Sequence, residues 1–337
     1  MPQTRTDEFK RNESLEHLLT ELNGALAGAE RGIGPLPDQP PFPTILIVGA
    51  PRSGTTLLMQ WLASSGLVAY PSNLLSRFYA APYIGARIQQ LFTDPQFNFR
   101  GELGELTAHP MAFQSELGKT QGALQPNEFW YFWRRFLPNV DAEWLNPERA
   151  AQVDSAGLRS GIAHIQHAFG MPFAAKGIIL QYNLELLRRA LGRVLFVHTR
   201  RNPYFNTQSL LDARVRFHGS IEAWFSVKPP EYEELLRRDP VTQAAGQVLC
   251  TQQRIEEQFA AMPAEHHLTV DHSLFCTDPA SVFHAIGAKM KALGASWPDA
   301  YAGPPAFLEN TVVTVDASMR DAILKACSEF GGVAPRT

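Results

Sequence analysis

Short apolar runs alternate with helical patterns along most of the chain, which predicts a parallel sheet covered by helices on both faces. Four runs have the length and the β-branched content of buried strands. They are TILIVGA (44–50), FAAKGIIL (173–180), RVLFVHT (193–199) and HHLTVD (266–271). Helices are predicted after the first run, over 55–66, and before the third, over 183–192. The predicted fold class is therefore α/β, a three-layer α/β/α arrangement with a central parallel sheet.

The two flanking parts of the chain depart from this alternation. Residues 1–43 are predicted to form an N-terminal helical extension, N-capped by Asn12, and a proline-rich linker. We expect this helix to pack on the main domain; a contact with a partner or with a second copy, as in a homodimer, is the alternative. The main domain spans 44–337. Its segments 95–150 and 214–245, rich in aromatic residues and proline, are predicted to cover the acceptor side of the site.

Composition and charge narrow the protein class further. The 337 residues are 45% hydrophobic and 19% charged, which excludes wholesale disorder, and the net charge of −3 argues against a nucleic-acid partner. Three widely spaced cysteines predict neither a disulfide framework nor a zinc site. The N-terminus is too polar for a signal peptide, and no run approaches the ~18 apolar residues of a transmembrane helix. We therefore expect a cytoplasmic protein without a transmembrane segment.

The segment GAPRSGTT (49–56), between the first strand and its helix, carries the clearest chemical signal. Gly49 and Gly54 allow a tight turn, and the free amides at the start of the helix favour an anion. Thr55 stands where the P-loop pattern has its lysine, so the loop is poorly suited to a magnesium triphosphate. Arg52 supplies a cation from a different position. The segment predicts an anion site, with a glycine turn that binds no ligand as the alternative.

A second cationic turn follows the third strand. Arg201 precedes Asn202 and Pro203, and Ser209 lies eight positions after Arg201, on a helix predicted to begin near the proline. An arginine at the turn and a serine two helical turns later can reach one phosphate group. A surface arginine and a helical serine without a ligand are the alternative.

Together the two motifs resemble those of the PAPS-dependent sulfotransferases, whose donor is 3′-phosphoadenosine 5′-phosphosulfate (PAPS). PRSGTTLL (51–58) is similar to their 5′-phosphosulfate-binding loop, and RNP with its later serine is similar to their R-D-P pattern. Weaker similarities lie at 267–294 and, to bacterial members, at 223–232. The resemblance spans 44–294 and implies the P-loop NTPase-like sulfotransferase fold. The K-G-x-x-G-x-x-K lid motif of cytosolic members is not found.

The resemblance implies a role for each matching residue. Those expected to bind the donor are Arg52, Ser53, Gly54, Thr55, Thr56, Arg201 and Ser209. The first five would hold the 5′-phosphate and the last two the 3′-phosphate. Lys176 matches the lysine that family members place near the bridging oxygen, so Arg52 and Lys176 are the expected catalytic cations. No metal is required, because fixed cations can stabilise a sulfuryl group in transfer.

The general base does not follow from the resemblance. The histidine that cytosolic members use has no counterpart after Lys176, and the glutamate of other members is replaced by polar residues that cannot accept a proton. The remaining candidates are Glu128, which lies in an aromatic run, His109 and Glu116. A phenolic acceptor of low pKa would need no strong base.

The predicted activity is transfer of the sulfuryl group of PAPS to a hydroxyl or amine of a small-molecule, lipid or glycan acceptor, with adenosine 3′,5′-bisphosphate as the second product. The aromatic run at 129–136 is predicted to pack in the core or in a lid, and an acceptor pocket is the alternative. Two other functions stay open. One is a P-loop nucleotide or small-molecule kinase, and the other is a catalytically degenerate nucleotide-binding protein.

Overall fold

The computed structural model describes residues 5–107, 110–138 and 141–332. At its centre is a four-stranded sheet in the order β2-β1-β3-β4. The strands are β1 (Thr44–Val48), β2 (Phe173–Lys176), β3 (Val194–Arg200) and β4 (His267–Asp271). All three neighbouring pairs are parallel. The predicted α/β class with a parallel sheet is therefore confirmed.

Helices account for most of the other regular structure in the described ranges. The α-helices are α1 (Glu13–Arg31), α2 (Thr55–Ser64), α3 (Pro82–Thr93), α4 (Trp130–Arg134), α5 (Pro147–Ala150), α6 (Ser155–Phe169), α7 (Leu184–Leu191), α8 (Pro203–His218), α9 (Tyr232–Leu235), α10 (Pro240–Ala260), α11 (His272–Thr277), α12 (Pro279–Ala292) and α13 (Ala317–Glu329). No helix of this part of the chain is long and apolar enough to cross a membrane.

Strand β1 shows how the sheet separates two helical layers. Leu46 and Val48 pack in one buried cluster with side chains of α3, α6 and α7. Ile45 and Ile47 pack in another with side chains of α2, α11 and α12. Because successive side chains of a strand point to opposite faces, both faces of β1 are buried, and this explains its uninterrupted apolar run. The arrangement confirms the three predicted layers.

The second strand is shorter than its apolar run predicts. β2 ends at Lys176, and Ile178–Leu180 form a 3-10 helix. The amide of Gly177 still donates to the carbonyl of Ile47 at 2.8 Å, after which the chain leaves the sheet. A buried apolar run has no alternation that would separate a strand from a short helix, so the sequence could not show this boundary.

Segment 214–245 is partly helical, because its first residues complete α8 and its last residues begin α10. Arg214 lies inside the protein, where its guanidinium donates to the side-chain oxygens of Gln243 and Gln247, each at 3.2 Å. A charged residue and two glutamines therefore pack where a helical pattern would place apolar side chains. The helix predicted to begin near Pro203 is present as α8, whereas this polar contact is why the pattern did not reveal α10.

The N-terminal helix α1 packs against the main body of the protein. The side chain of Asn12 accepts a hydrogen bond from the amide of Leu15 at 3.0 Å, which confirms the predicted N-cap. Asn23 is buried, donates to the carbonyl of Arg77 and accepts from the amide of Ala80, each at 2.8 Å. These contacts fix α1 on the segment that leads into α3.

His198 on β3 is a buried titratable group without a polar contact. Neither ring nitrogen has a hydrogen-bond partner among the residues described, and the ring packs edge-on against Phe259 at a centroid distance of 6.0 Å. Burial, with a smaller effect from the charge of Arg200, lowers the pKa of His198 to about 3. The ring is therefore neutral in the folded protein at neutral pH.

We expect His198 to contribute to acid destabilisation of the protein. As the pH falls from 6.5 towards 3, the unfolded chain protonates this ring and the folded chain does not, so stability is lost over that range. His198→Leu should remove this part of the loss and change the free energy of unfolding at pH 7 by less than about 1.5 kcal/mol. Urea unfolding at pH 7 and pH 4.5 measures both, with the exposed His17→Gln as control. An unchanged pH dependence in His198→Leu would contradict the prediction.

Candidate active site

The loop between β1 and α2 is closed tightly at its two glycines. A Cβ atom on Gly49 would lie 2.7 Å from both Ser53 Oγ and Thr199 Oγ1. One on Gly54 would lie 2.6 Å from Nδ1 of His272. Gly54 also has a φ of +94°, a conformation that glycine adopts without strain. Glycine is therefore needed at both positions to bring the loop against β3 and α11.

The start of α2 offers hydrogen-bond donors to an anion. Gly54 is its N-cap and carries no side chain, so no capping side chain accepts from the first amides of the helix. These donors and the helix dipole favour a negative group. Thr55 and Thr56 add hydroxyl groups to this end of the helix. The Ser53 hydroxyl is buried and shares a hydrogen bond of 2.8 Å with Thr199 Oγ1, which holds the loop to β3.

Arg52, Arg201 and Ser209 meet on the other side of the loop. Arg52 Nε donates to Ser209 Oγ at 3.1 Å, and Arg201 Nη1 donates to the carbonyl of Arg52 at 3.1 Å. The two sequence motifs come together because β1 and β3 are neighbours in the sheet. Arg52 has a φ of +67°, which residues other than glycine rarely adopt. The loop backbone is therefore in an unusual conformation at the residue that faces Ser209.

The two arginines form a partly desolvated cationic cluster. Burial lowers the pKa of Arg52, and burial and the neighbouring charge of Arg52 lower the pKa of Arg201. Both stay charged at neutral pH, because a guanidinium does not lose its proton in proteins. Within the described residues, Nε of Arg201 is buried without a hydrogen-bond partner. An anion between the two groups would satisfy this donor and reduce their repulsion.

Residues 307–314, here called the C-terminal segment, cross the arginine cluster. Arg201 Nη2 donates to the carbonyl of Asn310, and Gln208 Nε2 donates to the carbonyl of Val312 at 2.9 Å. The carboxylate of Glu309 accepts from the Ser273 hydroxyl at 2.5 Å. The C-terminal segment thus covers Arg201 and Gln208, although it contains no recognisable lid motif.

Lys176, the last residue of β2, is the centre of a second cluster on the α2 side of the loop. Its Nζ lies 2.5 Å from Oε1 of Glu128 and donates to Thr56 Oγ1 at 3.0 Å. The Lys176 side chain is 5% exposed and that of Glu128 is 29% exposed. An ammonium group this deeply buried needs an anionic partner to offset its desolvation. Glu128 is therefore the candidate base that contacts the candidate catalytic lysine.

The aromatic run that follows Glu128 orients its carboxylate. Trp130 Nε1 donates to Oε2 of Glu128 at 2.6 Å, and Trp133 Nε1 donates to the Glu128 carbonyl at 3.1 Å. Phe129 and Phe132 are buried and stacked, with ring centroids 4.4 Å apart. Core packing of the aromatic run is thus confirmed, and this packing holds one carboxylate oxygen on Trp130 and the other on Lys176.

A tight turn, residues 116–119, lies directly against this ion pair. Glu116 and Lys119 exchange two backbone hydrogen bonds of 2.8 Å, and Leu117 and Gly118 have φ angles of +48° and +88°. Two successive positive φ angles characterise a type I′ turn. A Cβ on Gly118 would lie 3.1 Å from Glu128 Oε1, a tight contact, and the φ of +88° also favours glycine at this position.

The other candidate bases have different surroundings. Glu116 forms an ion pair with Arg216 on α8, and within the described ranges no hydrogen bond or ion pair joins it to Lys176. His109 lies outside the described residues. Sequence reasoning missed the contributions of Trp130, Gly118 and Asn310. A Leu-Gly pair is a weak turn signal compared with Asn-Gly, and Asn310 acts through a backbone carbonyl that any residue would supply.

The described ranges contain no group of three or more histidine, cysteine, aspartate or glutamate side chains that could hold a metal ion.

Comparison with known proteins gives the family. The sequence model of the sulfotransferase family matches residues 43–299, which include both motifs, Glu128 and Lys176. No curated protein matches the chain. Among solved structures, sulfotransferase STF9 from Mycobacterium avium is 15% identical, with a TM-score of 0.55 over 98% of this chain and 79% of that one. Sulfotransferase STF1 from Mycobacterium tuberculosis H37Rv is 13% identical, with a TM-score of 0.49 over 93% and 78%.

The family match covers most of the chain, so the chain belongs to the sulfotransferase family. The likeness to the Mycobacterium avium structure concerns the fold, and it agrees with the predicted P-loop-like arrangement around a parallel sheet. The protein is therefore a sulfotransferase.

Proposed function

We propose that the protein transfers the sulfuryl group of PAPS to a hydroxyl or amine of an acceptor and releases adenosine 3′,5′-bisphosphate. One observation carries the proposal. The Lys176–Glu128 ion pair lies at the α2 side of the glycine loop, and the Arg52–Arg201 cluster lies at the other side. A donor with one anionic group at each end matches this distribution of charge.

The contacts support a division of the donor between the two clusters. The free amides of α2, with Thr55 and Thr56, suit the 5′-phosphosulfate, because a helix N-terminus binds anions through its N–H groups. Arg201 and Ser209 suit the 3′-phosphate. Arg52 bonds Ser209 through Nε, so its charge acts at the 3′-phosphate as well as at the loop. A dianionic group there would satisfy the unpaired Nε of Arg201.

Glu128 is the proposed general base. As the acceptor oxygen or nitrogen attacks sulfur, the bond between sulfur and the bridging phosphate oxygen breaks, and the proton of the attacking group passes to the Glu128 carboxylate. Trp130 holds the carboxylate in place through its 2.6 Å hydrogen bond. The protein need not form a covalent bond with the transferred sulfuryl group. Positioning of the reactants and stabilisation of charge therefore account for most of the rate.

Lys176 is the proposed cation for the leaving oxygen. In the resting site its charge is balanced by Glu128, at 2.5 Å. Protonation of Glu128 removes that balance, so the full charge of Lys176 becomes available when negative charge develops on the departing phosphate. Proton transfer and leaving-group stabilisation are thereby coupled through one ion pair.

We infer a cytoplasmic location and an acceptor that is a small molecule, lipid or glycan. All three cysteines are free and buried, which suits a reducing compartment. A kinase is disfavoured, because Thr55 occupies the position of the P-loop lysine.

Binding and turnover together test the donor proposal. We expect calorimetric titration to show tighter binding of adenosine 3′,5′-bisphosphate than of ATP with Mg²⁺, and transfer of labelled sulfate from PAPS to at least one member of a panel of phenols, sugars and lipids. Tighter binding of the magnesium triphosphate would favour a kinase. Tight bisphosphate binding without transfer to any acceptor would favour a degenerate binding protein.

Arg201→Ala tests the 3′-phosphate site. We expect the Kd for adenosine 3′,5′-bisphosphate to rise roughly 10- to 100-fold, because charge-assisted hydrogen bonds contribute about 1.5–3 kcal/mol. The Kd for adenosine 5′-monophosphate should change much less. Arg200→Ala is the matched control, because Arg200 is exposed and pairs with Glu256 at 3.4 Å. An equal loss of affinity for both nucleotides would refute the assignment.

Glu128→Gln tests the base. The amide keeps a hydrogen-bond acceptor for Lys176 and cannot take up the proton, so kcat should fall roughly 100-fold or more while nucleotide affinity stays close to that of the wild type. Single-turnover rates with labelled PAPS measure the chemical step. Glu143→Gln serves as control, since Glu143 pairs with Arg149 outside the site. An undiminished rate in Glu128→Gln would exclude Glu128 as the base.

A further inference from the structure

Two cations without an anionic partner lie beside the Lys176–Glu128 pair. Lys119 directly follows Gly118, and its ammonium lies 4.7 Å from the ring centroid of Phe9 and 5.8 Å from that of Phe217. The guanidinium of Arg5 lies 5.2 Å from the Phe217 centroid. Among the residues that the structure describes, neither cation forms an ion pair, although both approach aromatic faces. We call Arg5, Phe9, Lys119 and Phe217 the mouth.

Three carboxylates act on the charge of Lys119, but among the described residues none of them forms an ion pair with it. Burial and the repulsion of Arg5 lower the pKa of Lys119, and they outweigh the opposing effects of Glu128, Glu8 and Glu116. Arg216, on the neighbouring end of α8, differs because Glu116 forms an ion pair with it. The mouth therefore has positive charge to offer to a ligand.

The N-terminal residues form a fixed part of the mouth. Phe9 is 3% exposed and packs against Phe217 at a centroid distance of 4.9 Å. The amide of Thr6 donates to the carbonyl of Phe217 at 3.0 Å, and its hydroxyl donates to the carbonyl of Arg216 at 2.9 Å. These contacts attach the start of the chain to the end of α8 and keep Arg5 close to Lys119.

Lys119 of the mouth is joined to the proposed base through its neighbour Gly118. A Cβ on Gly118 would lie 3.1 Å from Glu128 Oε1, and the Cα of Lys119 lies about 3.8 Å from that of Gly118. A small molecule can therefore place a hydroxyl at Glu128 and a second group at Lys119. Glu128 is 29% exposed, so the ion pair is accessible from solvent.

We propose that the mouth binds an acidic group of the acceptor, so that the acceptor is a small alcohol or phenol that also carries a carboxylate, sulfate or phosphate. The proposal rests on the proposed sulfuryl transfer. An acidic acceptor must approach an anionic donor, and Lys119 and Arg5 offset that repulsion at the side where the acceptor enters. A neutral acceptor would leave both cations without a partner.

Matched pairs of acid and amide test the charge preference. Three pairs are titrated calorimetrically into the full chain, with and without saturating adenosine 3′,5′-bisphosphate: 3-(4-hydroxyphenyl)propionate, 4-hydroxyphenylacetate and 3-hydroxybenzoate, each with its amide. We expect the acids to bind about tenfold more tightly than the amides, because one charge-assisted hydrogen bond contributes about that factor to the affinity. Equal affinities in all pairs, or no detectable binding of any acid, would overturn the proposal.

Variants show whether the mouth causes the preference. In Lys119→Gln the acid-to-amide affinity ratio should fall towards one, and Arg5→Gln should reduce it by a smaller factor. Lys10→Gln is the control, since Lys10 is an exposed lysine of the same segment that pairs with Asp7 at 2.5 Å. An unchanged ratio in both Lys119→Gln and Arg5→Gln would overturn the assignment even if the acids bind.

The same titrations separate this inference from the proposed donor chemistry. Selective binding of the acids by a protein that does not bind the bisphosphate would contradict the PAPS proposal and leave the mouth supported. Tight bisphosphate binding with no preference for acids would support the PAPS proposal and contradict the proposed role of the mouth.

Discussion

The buried ammonium of Lys176 is the constraint on which the site depends. An unpaired charge in this position would cost several kcal/mol, so a carboxylate must be brought to it. Glu128 comes from a segment that crosses the start of α2, and its carboxylate is held by Trp130. The 116–119 turn lies close to the pair, and the positive φ of Gly118 and its missing side chain favour that approach. Packing of the aromatic run therefore also places the Glu128 carboxylate against Lys176.

The parts of the candidate site that could be predicted from the sequence are formed by residues close together in the chain. Each motif predicted to bind an anion is a strand, a turn and a helix start within a few residues, and the parallel pairing of β1 with β3 brings the two motifs together. The general base was open among three residues, because the contact that singles out Glu128, with Lys176, spans 48 positions across a segment without periodic pattern. Helix α10 was missed for a related reason, since the buried polar contacts of its glutamines with Arg214 hide the apolar face that a pattern detects.

Three cationic side chains adjoin the glycine loop. The chain carries a net charge of −3, yet Arg52 and Arg201 adjoin at one side of the glycine loop and Lys176 stands at the other. Such an arrangement favours a compact ligand with two anionic ends over an extended polyanion, which binds through many dispersed cations. It also explains why overall composition gave no indication of an anionic ligand.

The two arginines at the end of β3 constrain the number of residues in that strand. Arg200 and Arg201 are adjacent, but the first is exposed and pairs with Glu256, and the second faces the loop and Asn310. Because neighbouring side chains of an extended chain point in opposite directions, inserting or deleting one residue in β3 would exchange the two arginines. The number of residues in this strand therefore matters to the site as much as the identity of Arg201 does.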